Sequence, residues 1–465
     1  MDNNEYRSHS DRLAVDPGIS HPTHQKACIK TNIPGPKSQA LRDLEQKHMA
    51  PGLQGFALMA GIAVDHAQGS AVTDVDGNTF IDIIGGIGVN GLGHSHPKFI
   101  HSVARQLAKA SVGSFTSEAR VDFLDRLAKH RPSELVHRAQ LYSSGAEAVE
   151  SALRLAKCHT GKQEFVSFWG GFHGKTMGVL SLMGSNFKDG LGPMVPGCHI
   201  VPFANPYRPP VVTGDLTGAC IDLVRKQLKF QAQGRIAAFI IEPMQGTAGN
   251  VIPPDDFLPA VKELAREFGA LLIADEMITG FGRTGKFWGC QHSGVEADIV
   301  TVGKLVGGGY PLSGIISTDA IVAAKPWSNP SGSSSSYGGN PLACAAAAAS
   351  LRIIEEEKLV ENSKRVGEYF LKKLQPMVDR YPFVGDVRGR GLFIGMELVK
   401  DKATKEPLPR PVTEKIFQEC LKRGLLTMAY SASFRIQPAL TIDEATVDEA
   451  VAILTEVFER VPIFF

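Results

Sequence analysis

The sequence has no large excess of charge of either sign, since 49 Lys and Arg stand against 48 Asp and Glu among its 465 residues, a formal net charge of +1. This balance removes any whole-chain electrostatic reason to expect binding to nucleic acid or to an acidic membrane. No stretch approaches the ~18 uninterrupted apolar residues of a membrane span, so no membrane partner is expected. The start, MDNNEYRSHSDR, lacks the apolar run of a secretory signal and predicts a polar arm.

Paired cysteine spacings and a nucleotide fingerprint are also missing. Seven cysteines are scattered without a CxxC pair, which argues against a metal site or disulfide framework and favours buried thiols in a reducing compartment. The cytoplasm is therefore the expected location. The sequence has glycine-rich stretches, but no GxGxxG follows an early strand with an acid ~20 residues further on, so a dinucleotide-binding fold is excluded.

What the sequence does have is three zones of different pattern. Residues 1–85 are turn-rich and contain a hairpin signal, Asp76-Gly77-Asn78, between two β-rich runs. Residues 86–353 alternate short apolar runs with helical patterns, which predicts a mostly parallel sheet with helices on both faces. Residues 354–465 alternate strand and helix and predict a small α+β domain. The expected domains are thus an N-terminal arm and segment contributing to the small domain, a large domain and the C-terminal small domain.

The predicted elements of the large domain are defined by apolar runs and helical faces. A helix is expected at Asp256–Glu267, and an alanine-rich helix after Asn340-Pro341, where Asn can cap and Pro fits the first turn. The predicted strands are Phe165–Phe168, Ala237–Ile241, Leu271–Ala274, Ile299–Val302 and Gly314–Ser317.

Two of these strands end in residues that carry chemistry. The run 271–274 leads into Asp275, and the run 299–302 leads through Gly303 to Lys304. Ligands of open parallel sheets bind at the carboxyl edge of the strands. Taken alone, Asp275 is typical of a helix cap and Lys304 of a solvated strand end. As a pair on neighbouring strands, a carboxylate and a desolvated, nucleophilic amine are suited to holding opposite ends of one cofactor.

A third candidate is the start of an amphipathic helix. Ser143-Ser144-Gly145-Ala146 precedes Val149–Lys157, whose apolar residues share one face. The N–H groups of a helix start, with the serine hydroxyls, form an anion site suited to phosphate. An ordinary helix cap has the same pattern, so this feature alone does not decide between the two.

The sequence resembles the class III pyridoxal-phosphate aminotransferases, which include the 4-aminobutyrate, ornithine, acetylornithine and other omega-amino-acid aminotransferases. The resemblance covers roughly residues 30–460, and eight motifs follow the order of the family. They are Asp74–Asn78, Gly93–Pro97, Ser144–Ala148, Gly171–Gly174, Ile241–Gly246, Asp275–Gly285, Gly303-Lys304 and Tyr337–Pro341.

The resemblance implies an α/β protein of fold type I, with a mostly parallel mixed sheet flanked by helices in the large domain and a smaller α+β domain. It implies pyridoxal 5′-phosphate (PLP) as cofactor, joined to Lys304 as a Schiff base. Lys304 would then move the proton between the substrate carbon and the cofactor. Asp275 would pair with the ring nitrogen, so that the ring acts as an electron sink. It also implies a homodimer, or a dimer of dimers. The other residues expected at the cofactor are Phe172 and Met277 on its two faces, Ser144, Gly145 and Ala146 at its phosphate, His173, a supporting Glu242, and a hydroxyl near Ser336, within 333–336, from the partner subunit.

For the substrate, the resemblance implies that Arg435 binds a carboxylate, for which its planar fork is suited. The sequence departs from the family where glutamate-using relatives carry a second acid that pairs with this arginine, because Thr247 and Ala248 stand there. Where the family has an arginine that can hold a second carboxylate, this sequence has Lys175. Where the family often has a glutamine near the cofactor, it has Ile278. These departures favour pyruvate over 2-oxoglutarate as acceptor without excluding the dicarboxylate.

The expected function is transfer of an amino group from a small amine or amino acid, with an omega-amino acid such as 4-aminobutyrate favoured, to a 2-oxo acid. A racemase or epimerase, a decarboxylating enzyme or an aminomutase on the same fold needs the same Lys304 and Asp275, so these motifs leave that alternative open. A non-catalytic scaffold is disfavoured because both residues are present. The amino donor itself cannot be read from the sequence.

Overall fold

The computed structural model describes residues 26–461, so the polar arm predicted at residues 1–12 lies outside the described residues. The strands are β1 (Val64–Gln68), β2 (Ala71–Asp74), β3 (Thr79–Asp82), β4 (Arg138–Tyr142), β5 (Glu164–Phe168), β6 (Cys198–Val201), β7 (Ile236–Ile241), β8 (Leu271–Asp275), β9 (Ile299–Val302), β10 (Ser313–Ser317), β11 (Val384–Arg390), β12 (Phe393–Asp401), β13 (Glu406–Pro407), β14 (Leu425–Leu426) and β15 (Ser433–Ile436).

The α-helices alternate with these strands along most of the chain. Besides a single distorted turn at Gly85–Gly88, they are α1 (Pro36–Glu45), α2 (Gly55–Ala60), α3 (Pro97–Leu107), α4 (Glu118–Lys129), α5 (Gly145–Thr160), α6 (Met177–Leu180), α7 (Leu216–Gln231), α8 (Phe257–Glu267), α9 (Asp319–Val322), α10 (Pro341–Glu356), α11 (Leu359–Leu374), α12 (Pro376–Arg380), α13 (Arg410–Leu421) and α14 (Glu444–Phe458). The described chain divides into two compact units, one of residues 101–360 and one of residues 26–100 and 361–461.

The first unit is built on a seven-stranded sheet in the order β4-β10-β9-β8-β7-β5-β6. Strands β9, β8, β7, β5 and β6 are parallel, whereas β10 is antiparallel to both of its neighbours. This confirms the predicted mixed, mostly parallel sheet, and each of the five predicted strands is present with its bounds shifted by at most one residue. Two strands, β4 and β6, were missed. Both lie at sheet edges, where the apolar pattern is weaker because one side has no neighbouring strand.

The core of the first unit lies between the sheet and its helices. Strand β7 is buried along its whole length, as expected for a central parallel strand. The predicted apolar faces of α5 and α8 are buried, including Val149 and Ala152 on α5 and Val261 and Leu264 on α8. Helix α10 begins as predicted, since the amide of Ala343 donates to the side chain of Asn340 at 2.9 Å. These helices hold the strand ends in fixed positions.

The second unit contains two small sheets. One has the order β1-β2-β3-β14, and the other joins β11, β12 and β13, with β15 also paired to β12. The predicted hairpin is confirmed as β2 and β3, which pair antiparallel. Its turn is held by the buried carboxylate of Asp74, whose Oδ1 accepts from the amides of Asp76 and Asn78 at 3.0 and 2.8 Å.

Some features are absent from the part of the chain that the structure describes. All seven cysteines fall within it, and none forms a disulfide. Within residues 26–461 no helix has both the length and the apolar character needed to cross a bilayer. No group of three or more His, Cys, Asp or Glu side chains in this range is arranged to hold a metal ion.

The close packing of α11 on the β11–β12 turn gives a testable prediction. A Cβ atom at Gly367 of α11 would lie 2.1 Å from the carbonyl oxygen of Gly391. An alanine in a helix interior normally stabilises by about 0.5–1 kcal/mol relative to glycine, but overlap with backbone costs about 1–3 kcal/mol. Gly367→Ala is therefore expected to lower the free energy of unfolding in urea. The exposed Glu368→Ala on the same helix is the control, and a Gly367→Ala protein as stable as the parent contradicts the packing.

Candidate active site

The predicted aspartate and lysine lie at the carboxyl ends of neighbouring parallel strands. Strand β8 ends at Asp275, which stands opposite Thr301 of β9. The chain then passes through Gly303 to the half-buried Lys304, which has a left-handed backbone (φ 49°) and begins a short 3-10 turn. The parallel pairing of β8 and β9 therefore brings both residues to the same edge of the sheet.

Asp275 is a buried carboxylate that has three hydrogen-bond donors. The side chains of Asp275 and His173 are each 1% exposed, and His173 Nδ1 lies 2.7 Å from Asp275 Oδ2. Asp275 Oδ1 accepts from the hydroxyl of Thr301 at 3.0 Å and from the amide of Met277 at 3.2 Å. A carboxylate has about four acceptor positions, so these three bonds leave room for one further donor.

The electrostatics of this cluster favour a proton on His173. Burial alone would lower the pKa of His173, but its hydrogen bond to Asp275 and the negative charges of Asp275 and Glu242 raise the pKa above its ordinary value. Burial raises the pKa of Glu242, and the charge of Asp275 adds to this effect, although His173 opposes it. A proton on His173 gives the buried carboxylate of Asp275 a counter-charge.

Met277 lies where three segments meet. A Cβ atom at Gly303 would be 2.6 Å from Met277 Sδ, and one at Gly145 would be 3.2 Å from it. The thioether therefore contacts both the residue before Lys304 and the start of α5. The hydroxyl of Ser313 on β10 donates to the carbonyl of Ser144 at 2.6 Å and joins the sheet to the same helix start. The absence of side chains at Gly145 and Gly303 is what allows this approach.

The start of α5 is held by a hydrogen-bonded cap. Ser144 is the N-cap, and its hydroxyl accepts from the amide of Glu147 at 3.3 Å, while Glu147 Oε2 accepts from the amides of Ser143 and Ser144 at 3.1 and 3.0 Å. The hydroxyl of Ser144 is thus part of a capping box. The amides of Gly145 and Ala146, at the first two positions of the helix, have no acceptor within the helix itself and remain suited to an anion.

Phe172 is held in place by the carboxylate of Glu242. The amide of Phe172 donates to Glu242 Oε1 and the amide of Gly246 to Oε2, each at 2.9 Å. The same segment packs on the helix start, because a Cβ atom at Gly174 would be 2.9 Å from the Cβ of Ala146. Glu242 therefore joins two loops at the carboxyl ends of the strands.

The serines at positions 333–336 differ in their burial and in their hydrogen bonds. Ser333 is buried, and its hydroxyl lies 2.5 Å from that of Tyr142. The half-buried Ser335 donates to Glu147 Oε1 at 3.1 Å, whereas Ser336 is exposed. Ser334 is exposed as well, so Ser334 and Ser336 are better suited than Ser333 or Ser335 to reach another molecule.

Phe187 is a residue that the sequence did not predict. Its ring contacts that of Phe172 edge-on, with centroids 5.6 Å apart and an angle of 77°. The ammonium of Lys175 lies 4.7 Å from the centroid of the Phe187 ring. No periodic pattern surrounds Phe187, which lies on a 3-10 turn, so the sequence carries no signal for these contacts.

Glu276, which directly follows Asp275 at the end of β8, is a second buried acid. It is 1% exposed and accepts from the hydroxyl of Thr279 and from the amides of Gly289 and Cys290, both at 2.8 Å. Burial raises the pKa of Glu276, although these hydrogen bonds oppose it. The contacts hold the glycine-rich loop that follows Asp275.

The remaining predicted substrate residues have separate positions. Arg435 is half-buried on β15 of the second unit, opposite Gly395 of β12. In the first unit, Thr247 and Ala248 are half-buried, and Ile278 is buried against Gly246.

Comparison with known proteins defines the class of this protein. The sequence model of the family "Aminotransferase class-III" matches residues 56–458. The chain is 35% identical to the 5-aminovalerate aminotransferase of Pseudomonas putida KT2440, over 91% of this chain and all of that protein. It is 33% identical to the 4-aminobutyrate aminotransferase of Mycobacterium leprae, over 93% and 98% of the two chains. The diaminobutyrate–2-oxoglutarate aminotransferase of Rhizobium meliloti is 34% identical over 86% and 88%.

Solved structures agree with the sequence relatives. A PLP-bound amine transaminase from an uncultivated Pseudomonas species superposes with a TM-score of 0.84 and 32% identity, over 89% of this chain and 99% of that one. An aminotransferase of Bacillus anthracis gives a TM-score of 0.84 and 28% identity, over 93% and 100%. The fold is that of a PLP-dependent transferase. The chain belongs to the class III aminotransferases and is a PLP-dependent transaminase, as the resemblance implied.

The contact between His173 and Asp275 predicts a pH dependence of stability. Because the pKa of His173 is raised above 6.5, the stability it contributes is complete below that value and is lost as the pH rises through the raised pKa. In urea unfolding of cofactor-free protein, the parent should exceed His173→Gln by about 1.5–3 kcal/mol near pH 6. The difference should shrink as the pH rises above 6.5 and through the raised pKa of His173. A difference that is constant or grows with pH contradicts the charge assigned to His173.

Proposed function

We propose that this aminotransferase takes its amino group from a small omega-amino acid, with 4-aminobutyrate favoured, and passes it to a 2-oxo acid, pyruvate or 2-oxoglutarate. Three relatives are named for 5-aminovalerate, 4-aminobutyrate and diaminobutyrate, donors that share an amino group at the end of a short chain. The observation that carries the proposal is the position of Asp275 and Lys304, which lie at the carboxyl ends of two neighbouring parallel strands. The buried Asp275 is paired there with His173. The two substrates bind in turn, so that the first product leaves before the acceptor enters.

The residues present fit PLP. The acceptor position left on Asp275 suits a protonated ring nitrogen, and the first two amides of α5, at Gly145 and Ala146, suit a phosphate. Phe172 and Met277 provide an aromatic face and a thioether for the two faces of the ring. When bound, PLP supplies an electron sink that stabilises negative charge on the substrate carbon.

The residues of the chain then have separate tasks. Lys304 would hold the cofactor through its Nζ, and the same amine would accept and donate the proton that moves at the substrate carbon. The pair of Asp275 and His173 keeps a negative charge at the ring nitrogen. Glu242 holds Phe172 by its backbone. Arg435 binds a substrate carboxylate, and Lys175 contributes a second positive charge.

A homodimer or a dimer of dimers is part of the proposal, with Ser336 of one subunit reaching the phosphate bound by the other. The exposure of Ser336 and the internal contacts of Ser333 and Ser335 support this choice. A cytoplasmic location is proposed as well, supported by seven cysteines without a disulfide.

A donor panel tests the proposed function. Purified holoenzyme is given 4-aminobutyrate, 5-aminovalerate or 2,4-diaminobutyrate with pyruvate, and alanine formation is measured. Lys304→Ala is expected to lower the rate by at least about 10²–10⁴-fold, because it removes the group that moves the proton. Lys229→Ala, on the exposed face of α7, serves as control. No alanine from any donor, together with inversion of a single amino-acid enantiomer without oxo acid, would establish a racemase instead.

The acceptor is predicted from the residues after Glu242. Glutamate-using members of the family carry an acid at this point that pairs with the arginine matched by Arg435. Thr247 and Ala248 stand there instead, so we expect a higher kcat/KM for pyruvate than for 2-oxoglutarate. Steady-state kinetics with one fixed donor measure the ratio. A strong preference for 2-oxoglutarate contradicts the prediction. Thr247→Glu, which introduces an acid, should shift the ratio toward 2-oxoglutarate.

A further inference from the structure

Lys175 lies on a segment whose backbone is fixed at both ends. On one side, the ring of His173 is hydrogen-bonded to the buried carboxylate of Asp275. On the other side, the hydroxyl of Thr176 donates to Glu150 Oε1 at 2.7 Å, and the amide of Val179 donates to the same atom at 3.2 Å. The exposed side chain of Lys175 is therefore the part of this segment that is able to change direction.

Phe187 determines where the charge of Lys175 lies. The ammonium is 4.7 Å from the Phe187 centroid, within the range of a cation–π interaction. The same ring contacts Phe172 edge-on. Phe187 thus joins the aromatic residue proposed to face the cofactor to a cation beside it, and its side chain is still 45% exposed.

The partner of Lys175 is an aromatic face and not a carboxylate, and this difference matters for binding. An aromatic quadrupole attracts a cation without carrying a compensating negative charge. The ammonium therefore keeps its full charge for an incoming anion, whereas a carboxylate partner would compete with that anion. At the same time the ring limits the rotamers of a flexible lysine, so less conformational entropy is lost when an anion binds.

We propose that Phe187 is a specificity-determining residue. It holds the ammonium of Lys175 in position to bind a substrate carboxylate that is distant from the reacting carbon. This inference rests on the proposed function, because it assigns a substrate group to the same site. In 2-oxoglutarate that group is the second carboxylate, and in 4-aminobutyrate it is the single carboxylate. Pyruvate and 1-butylamine lack it.

The test compares substrates with and without the distal carboxylate. Phe187→Leu keeps an apolar side chain but removes the ring, so the KM for 2-oxoglutarate should rise about two- to fivefold while that for pyruvate is unchanged. The KM for 4-aminobutyrate should rise relative to 1-butylamine in the same way. Phe187→Tyr keeps the ring and should restore parental values. Phe230→Leu removes an exposed phenylalanine of α7 (84% exposed) and is the matched control.

Binding without turnover gives a second readout. Calorimetry on holoenzyme should show that Phe187→Leu weakens the binding of glutarate, which carries the distal carboxylate, more than that of pyruvate, which lacks it. In Lys175→Met protein, adding Phe187→Leu should produce no further loss, because both changes remove the same interaction. The absorbance of bound cofactor reports whether each variant retains its site.

The outcomes separate the inference from the proposed function. If the parent transaminates and Phe187→Leu changes the KM values for pyruvate and 2-oxoglutarate equally, the inference is wrong and the proposed function stands. The same conclusion follows if the effect of Phe187→Leu persists in Lys175→Met protein. If the parent transfers no amino group from any donor, the proposed function fails, whereas a selective loss of glutarate binding would still support the contact between Phe187 and Lys175.

Discussion

A carboxylate buried at the edge of a sheet is the constraint on which the rest of this site depends. Removing Asp275 from water costs free energy unless its oxygens find donors inside the protein. The donors come from three segments, namely His173 of one loop, Thr301 of the next strand and the backbone of Met277. Satisfying one charge therefore fixes the position of three parts of the site, including the segment that continues to Lys175 and the strand that leads to Lys304.

Two other buried carboxylates hold the loops around Asp275 in the same way, by accepting hydrogen bonds from them. Glu242 accepts from the amides of Phe172 and Gly246, and Glu276 accepts from the loop that ends at Cys290. Loops at a strand edge have no ladder of sheet hydrogen bonds to position them, and here buried acids supply the missing partners. The consequence for catalysis is preorganisation, since the groups that would face the cofactor are held before it binds.

The sequence predicts the centre of this site better than its periphery. The positions of Asp275 and Lys304 at strand ends could be predicted because each follows a short, mostly apolar run, the signal of a buried parallel strand. The edge strands β4 and β6 were missed because such runs weaken at sheet edges. The pairing of His173 with Asp275 joins residues 102 positions apart, and the contacts of Phe187 arise between loops, so neither has a local pattern. The Ser144 hydroxyl was assigned to an anion site; its oxygen caps α5, a role with the same sequence pattern that leaves its hydrogen available to an anion.

The central claim is that the cofactor is attached at Lys304, at the edge that Asp275 organises. Reduction of the holoenzyme with borohydride, followed by digestion and mass spectrometry, tests it most directly, because reduction makes the bond between lysine and PLP permanent. The account predicts one modified peptide, with the added mass on Lys304 and none on Lys175 or the other lysines. Modification of a different lysine, in holoenzyme that is active before reduction, would contradict it.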